Sequence, residues 1–335
     1  MTGRRFALAA AAAGSTGLLA GVVVQRRDAR AVAADPTRAE LTEPLTGRPI
    51  AVVSDDGTVL HAEVHGLDDG VPLMLVHGWM CTSAVWRYQI RALSARCRVV
   101  TYDQRGHGRS SPAVSGDYSS DTLAADLDAV LHQAVPAGEP AAVAGHSMGA
   151  MAVVAWASTH RHEVSDRLAA VALVNVGVED LIGRSTIIPF PAALTALRST
   201  IGERVLASPL PVPASTNPLL TRLVRAVALG PAASPAQVAF CTELFLETPT
   251  DVRAAFGATL STFDLARGLP ALSVPTVVLA GEHDRLTPPV HGSAIKAEVP
   301  GATLVEMAGV GHMAPIEAHR EVTDHLRRLV GERGH

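Results

Sequence analysis

From Arg48 onward, apolar runs of strand length alternate with stretches whose apolar residues recur at helical spacing. A strand that is apolar at every position is buried on both faces, which happens where helices cover both sides of a parallel sheet. The runs are Leu73–Val76, Arg98–Tyr102, Ala141–Ala144, Ala170–Val176, Val274–Ala280 and Thr303–Val305. A hairpin precedes them, because Ile50–Val53 and Val59–Val64 flank the turn residues Asp55-Asp56-Gly57. Between the runs, Ser83–Ala95 reads as a helix, and Asp121–Ala134 places Leu123, Leu127, Val130 and Leu131 on one stripe. An alanine-rich helix follows from Met148 to Thr159, and Pro315 suits the first turn of a last helix with Val322, Leu326 and Val330 inward. The predicted class is α/β, a mostly parallel central sheet with helices on both faces. The alternation stops between Glu179 and Arg267. That helix-patterned, proline-broken stretch is too long for a structureless loop and reads as a helical insertion over about residues 180–266.

Hydrophobic residues make up 48% of the 335 and charged residues 18%, which supplies a large core and excludes a disordered chain. A net charge of −4 gives no basic footprint for nucleic acid. Three cysteines (Cys81, Cys97, Cys241) exclude a disulfide-dense scaffold, and no C-x-x-C pair marks a zinc site. The histidines are scattered without ligand spacing, and no glycine-rich dinucleotide fingerprint follows the first strands. No metal or organic cofactor is expected.

The N-terminus is a separate problem. Phe6–Val24 carries no charge and, as a helix, would span a bilayer core. Arg4 and Arg5 precede it; Arg26, Arg27 and Arg30 follow, so charge does not orient it. Residues 1–33 read as a signal peptide with Ala31-Val32-Ala33 as the cleavage site, or as a membrane anchor through residues 6–24. A helix packed on the domain is the third reading. Arg-Arg-Phe-Ala-Leu resembles a twin-arginine export signal, and export is expected. Residues 34–47 read as a linker and 48–331 as the folded domain.

Gly145-His146-Ser147-Met148-Gly149 lies between a buried strand and a helix. In that context G-x-S-x-G is a nucleophile elbow, a strained turn that lifts the serine out of the sheet. A serine hydroxyl needs a base, usually a histidine held by a carboxylate. Asp284 follows one late strand, and His312 sits in a glycine-rich loop after the next. Glu179 and Asp180, after an earlier strand, are the alternative acids. Backbone N–H groups of Met148 and Trp79 would serve the developing oxyanion, the latter in the His77-Gly78-Trp79 turn. Met80 and Met313 are candidate substrate contacts.

Together, His77-Gly78-Trp79, the Tyr102–Ser110 stretch, the elbow at Ser147 and the Asp284 and His312 loops resemble the α/β-hydrolase superfamily. The similarity is to its serine-nucleophile branch with a helical lid between strands six and seven, over about residues 48–331. It implies that residues 180–266 form the lid and that Asp103 and His107 shape the loop beside the site. It also implies an esterase, lipase or haloperoxidase-like activity. Dehalogenation and epoxide opening alkylate the nucleophile, and a serine would be left as an inert ether, so both are disfavoured. The expected function is hydrolysis of carboxylic esters with an apolar part. A cofactor-free haloperoxidase or perhydrolase, a C–C bond hydrolase with the same triad, and a non-catalytic ligand-binding module are the alternatives.

Overall fold

The computed structural model describes residues 23–187, 195–209 and 215–331. Within them β1 (Arg48–Val53), β2 (Val59–Gly66), β3 (Val71–Val76), β4 (Cys97–Tyr102), β5 (Ala141–His146), β6 (Leu168–Val174), β7 (Thr276–Gly281) and β8 (Thr303–Met307) form one sheet. The strand order is β1-β2-β4-β3-β5-β6-β7-β8. β2 is antiparallel to both neighbours, and every later pair is parallel. β5 and β7 are buried along their whole length, as continuous apolar runs should be, whereas β2 alternates like a half-exposed hairpin strand.

Among the described residues of 34–331, the α-helices of five or more residues are α1 (Arg38–Thr42), α2 (Arg87–Leu93), α3 (Ser120–Ala134), α4 (Met148–Thr159), α5 (Thr195–Leu206), α6 (Pro218–Ala228), α7 (Pro235–Glu247), α8 (Thr250–Leu260), α9 (Pro289–Glu298) and α10 (His319–Gly331); single-turn helices lie at Val164–Arg167, Leu181–Arg184 and Ala314–Glu317. Strand periodicity sends alternate side chains to opposite layers. Leu73 and Leu75 join Trp86, Ile90, Leu93 and Leu326 on one face. Met74 and Val76 join Leu123, Leu127, Met151 and Val154 on the other.

The insertion after β6 is helical, as its pattern predicts, with α5 to α8 lying between β6 and β7. Its prolines mark helix starts as much as breaks. Pro218 and Pro235 occupy first turns behind the caps Asn217 and Ser234, where a missing N–H costs nothing. Pro189, Pro191, Pro211 and Pro213 lie outside the described residues.

Three expectations need correction. The helix over Ser83–Ala95 is a 3-10 turn, Ser83–Trp86, followed by α2. The last helix is divided at Ala318 into Ala314–Glu317 and α10. Residues 34–47 are no free linker: they contain α1, whose Leu41 is buried, and Arg87 donates to the Glu40 and Glu43 carbonyls at 3.1 and 2.6 Å. A five-residue helix is too short to show a stripe, and such a helix is stabilised by packing rather than by propensity. Most of Phe6–Val24 lies outside the described residues; residues 23–33 are helical. Among the described residues no helix is long and apolar enough to cross a membrane.

Register aligns the chemistry at one sheet edge. Val76 pairs with Tyr102 and Gly145, and Val174 pairs with His146 and Leu279. The loops after these strands carry Gly78, Asp103, Ser147, Asn175 and Asp284, at the carboxyl edge where open α/β sheets place their sites.

Candidate active site

Ser147 joins β5 to α4 with φ 52° and ψ −119°. A non-glycine residue there costs on the order of 1–3 kcal/mol, so its surroundings must impose the turn. They do so at three points. The Ser147 N–H donates to the Val174 carbonyl at 2.9 Å. A Cβ at Gly145 would lie 2.4 Å from the Ala150 backbone. One at Gly149 would lie 2.3 Å from the Val76 carbonyl oxygen. Both glycines of the motif are therefore steric requirements. Ser147 is left partly exposed between buried His146 and Met148.

The His312 Nδ1–H donates to Asp284 Oδ2 at 2.8 Å. Asp284 Oδ1 accepts the N–H groups of Leu286 and Thr287, each at 2.9 Å. Its Oδ2 also accepts from Thr287 Oγ1 and Asn175 Nδ2, each at 2.8 Å. Burial disfavours the Asp284 charge, but the His312 interaction and the Thr287 donors outweigh it and hold the carboxyl below its ordinary value. A carboxylate acceptor at Nδ1 leaves Nε2 with the lone pair a base needs. The histidine loop is fixed at both backbone ends: the His312 N–H donates to the Ala228 carbonyl (2.9 Å), and its carbonyl accepts from His146 Nε2 (2.8 Å). The His146 ring is 5.1 Å from the His312 ring, which places the elbow beside the base. Burial and the nearby His312 push His146 down to about 3, so it is neutral. Among the described residues Ser147 Oγ makes no hydrogen bond, a common state of such contacts without substrate.

Glu179 and Asp180 are engaged elsewhere. Glu179 pairs with Arg184, and Asp180 caps the short helix Leu181–Arg184. The Met148 N–H opens α4, and the first N–H groups of a helix have no partner in it. Gly78 presses on the elbow, since a Cβ there would lie 3.0 Å from Ser147 Cβ. Buried His77 fixes that loop: Nδ1 donates to the Gly78 carbonyl at 2.7 Å and Nε2 accepts the Gln104 N–H at 2.8 Å. The next N–H in the loop, that of Met80, is taken by His107 Nε2 at 3.2 Å. Those of Trp79 and Met148 make no hydrogen bond among the described residues, so both are available to an oxyanion.

Asp103 accepts the N–H groups of Ser83 (2.8 Å) and Arg109 (3.0 Å) and so shapes its loop. Met80 is partly exposed. Met313 is wholly buried among core side chains and does not line an open surface, contrary to its expected role as a substrate contact.

Sequence reasoning missed Asn175 and Glu317. Asn175, at φ 48°, donates to Asp284 and, at 3.1 Å, to the Gly311 carbonyl, so it ties the acid loop to the histidine loop. Its signal was a lone amide at the end of a buried strand, since Asn tolerates left-handed backbone. Glu317 accepts the N–H groups of Gly230 (2.6 Å), Gly311 (3.2 Å) and Met313 (3.0 Å). Away from the site, Asp128, His132 and Glu163 bring three donor atoms within 4.8 Å of one another on a partly exposed surface. His160 stacks on Trp156 and His162 pairs with Glu163.

Comparison with known proteins agrees with this architecture. Residues 71–198 match a family described as the alpha/beta hydrolase fold. The chain is 36% identical over 130 residues to the probable oxidoreductase EphD of Mycobacterium tuberculosis, covering 38% of this chain and only 22% of that protein. It is 29% identical over 275 residues to the putative carbamate hydrolase RutD of Variovorax paradoxus, covering 81% of this chain and 97% of the relative. The enol-lactonase structure from Burkholderia xenovorans superposes with a TM-score of 0.66 at 25% identity, covering 85% of this chain and 100% of that one. Sheet order, helical insertion and these matches together give the chain the α/β-hydrolase fold.

Proposed function

We propose that the protein hydrolyses carboxylic esters through an acyl-enzyme on Ser147. His312 Nε2 takes the Ser147 proton as Oγ attacks the ester carbonyl carbon, and the carbonyl electrons move onto oxygen. The N–H groups of Trp79 and Met148 stabilise that oxyanion, worth about 3–4 kcal/mol for one well-placed donor. The intermediate collapses, its ester C–O bond breaks, and His312 returns the proton to the leaving alkoxide. Water, deprotonated by the same imidazole, then releases the acid and restores Ser147. Asp284 holds the tautomer and stabilises the transient imidazolium. The observation that carries the reading is the Asp284–His312 hydrogen bond at the sheet edge beside the strained Ser147 turn.

The names of the enol-lactonase and the carbamate hydrolase support acyl chemistry at this fold. A fluorophosphonate probe tests the reading: it should label the chain and fail on Ser147→Ala. Labelling of the variant would move the nucleophile, and no labelling of either would favour a ligand-binding module. A panel of aryl esters, triglycerides and peracid assays then separates an esterase from a haloperoxidase-like enzyme.

We further propose that the folded part lies outside the cytoplasmic membrane, held by Phe6–Val24. Tethering is favoured over release after Ala33 because Val32 packs against the core and Asp28 pairs with Arg222 at 3.2 Å. Cleavage would discard both contacts. Fractionation with N-terminal sequencing tests this, and a mature start at Ala34 would refute the tether.

A further inference from the structure

The segment ahead of the domain is fastened to the helical insertion. Arg222 of α6 donates to Asp28 at 3.2 Å, and Asp35 accepts the Ala236 N–H of α7 at 2.9 Å. The Thr37 and Ser234 hydroxyls lie 3.2 Å apart. Asp28, Asp35 and Thr37 therefore lie on the side of the insertion. Exposed apolar surface concentrates there too. Among the described residues, Val23, Ile201, Val205, Leu219 and Leu223 are half of the large hydrophobic side chains left exposed.

Leu219 and Leu223 are 79% and 57% exposed and lie one turn apart on α6, whose Val224 and Ala228 are buried. Arg222 and Arg225 on the same helix are exposed, as are Arg26, Arg27 and Arg30 on residues 23–33. A helix with leucines outward and arginines beside them suits the headgroup boundary of an anionic bilayer. A second copy would bring like-charged arginines together, which disfavours association. The helix also leads to the site. The carbonyl of its last residue, Ala228, accepts the His312 N–H, and Gly230 just beyond donates to Glu317, which also holds Gly311. At 1.5 Å per residue, the leucine end is about 15 Å from the histidine loop.

We infer that α6 is a membrane-contact element. It lies on an anionic phospholipid surface with Leu219 and Leu223 at the acyl boundary, and the ester substrate is drawn from that bilayer. The substrate assignment rests on the ester-hydrolase reading of Ser147, whereas the docking does not.

The test uses the full chain in vesicles of phosphatidylcholine with phosphatidylglycerol. The native cysteines are all buried, so an environment-sensitive fluorophore reports selectively from Leu223→Cys. Its emission should shift to the blue, while the same label at exposed Val114→Cys should not. Leu219→Glu with Leu223→Glu should lower hydrolysis of a vesicle-borne phospholipid about tenfold or more and leave a water-soluble short-chain ester within about twofold. No shift at position 223, or a parallel loss on both substrates, overturns the inference. A blue shift in a chain that fluorophosphonate does not label keeps the docking and removes the hydrolase reading.

Discussion

Asp284→Asn tests the site at its most connected atom. Five donors converge on this carboxylate: the backbone N–H groups of Leu286 and Thr287, the Thr287 hydroxyl, the Asn175 amide and the His312 Nδ1–H. Asparagine replaces one acceptor oxygen with an NH2 group. Backbone donors cannot turn away, so the remaining oxygen should stay with Leu286 and Thr287, and the NH2 should face the other three. Two of those can reverse, matching the two hydrogens of the NH2: the Thr287 hydroxyl can rotate to accept, and His312 can shift its proton to Nε2, while Asn175 stays bound to the Gly311 carbonyl and loses its bond to position 284. The fold should survive, at a cost of about 2–3 kcal/mol for exchanging charged for neutral hydrogen bonds. Activity should not survive, because a proton on Nε2 removes the lone pair that must take the Ser147 proton. The expected loss in kcat is about 10⁴-fold, as for the equivalent change in a serine protease. Burst kinetics on an activated aryl ester, with a thermal melt alongside, read both effects. A folded variant with kcat within tenfold of the parent would refute the assignment, most directly if Glu179→Gln or Asp180→Asn were then inactive.

Ser147→Ala should keep the fold and lower kcat on esters by about 10⁴-fold or more, read with the same aryl ester. Gly149→Ala should lower Tm and activity together, because its Cβ would sit 2.3 Å from the Val76 carbonyl oxygen; an unchanged Tm would contradict the packing. Acid should destabilise the protein through its neutral buried histidines: burial, with help from His312, His77 and Arg184 respectively, pushes His146 and His107 down to about 3 and His291 to about 4. Unfolding lets all three bind protons below their ordinary 6.5, so the unfolded state holds more protons and stability falls as pH drops from 6.5 toward 4. The limiting slope is about 4 kcal/mol per pH unit, and a urea midpoint independent of pH across that window would refute it. EDTA should leave esterase activity unchanged, and loss restored by a divalent ion would overturn the metal-free mechanism.

The parts of this molecule legible in its sequence are those written locally. Leu73–Val76 and Val277–Ala280 read as buried strands because every residue of such a strand must be apolar. The elbow was legible because Gly145 and Gly149 meet backbone within a few residues or one strand away, so composition and conformation coincide. Asn175 could not be weighed in this way. Its partner Asp284 is 109 residues distant, and a single buried hydrogen bond leaves no periodic trace. α1 was missed because its helix depends on Arg87 reaching the Glu40 and Glu43 carbonyls across 47 and 44 residues. Met313 went wrong for the opposite reason: adjacency to His312 in sequence suggested adjacency to substrate, yet the next side chain along turns into the core.

The same non-local bonds decide how the insertion relates to the chemistry. A lid independent of the site would meet the catalytic loops only through side-chain packing. Here the end of α6 is bound to the histidine loop through backbone: Ala228 accepts from His312, and Glu317 bridges Gly230 to Gly311 and Met313. Burial raises the Glu317 pKa, and the three N–H donors only partly offset that, so this carboxylate pays for its position. Arg285, next to the acid, adds a bond to the Ala226 carbonyl at 3.1 Å. The acid loop, the base loop and the insertion thus share one hydrogen-bonded seam. Displacing Ala228–Gly230 would break the bonds that set the His312 backbone, so the C-terminal end of α6 is as much a part of the histidine loop's support as the loop itself.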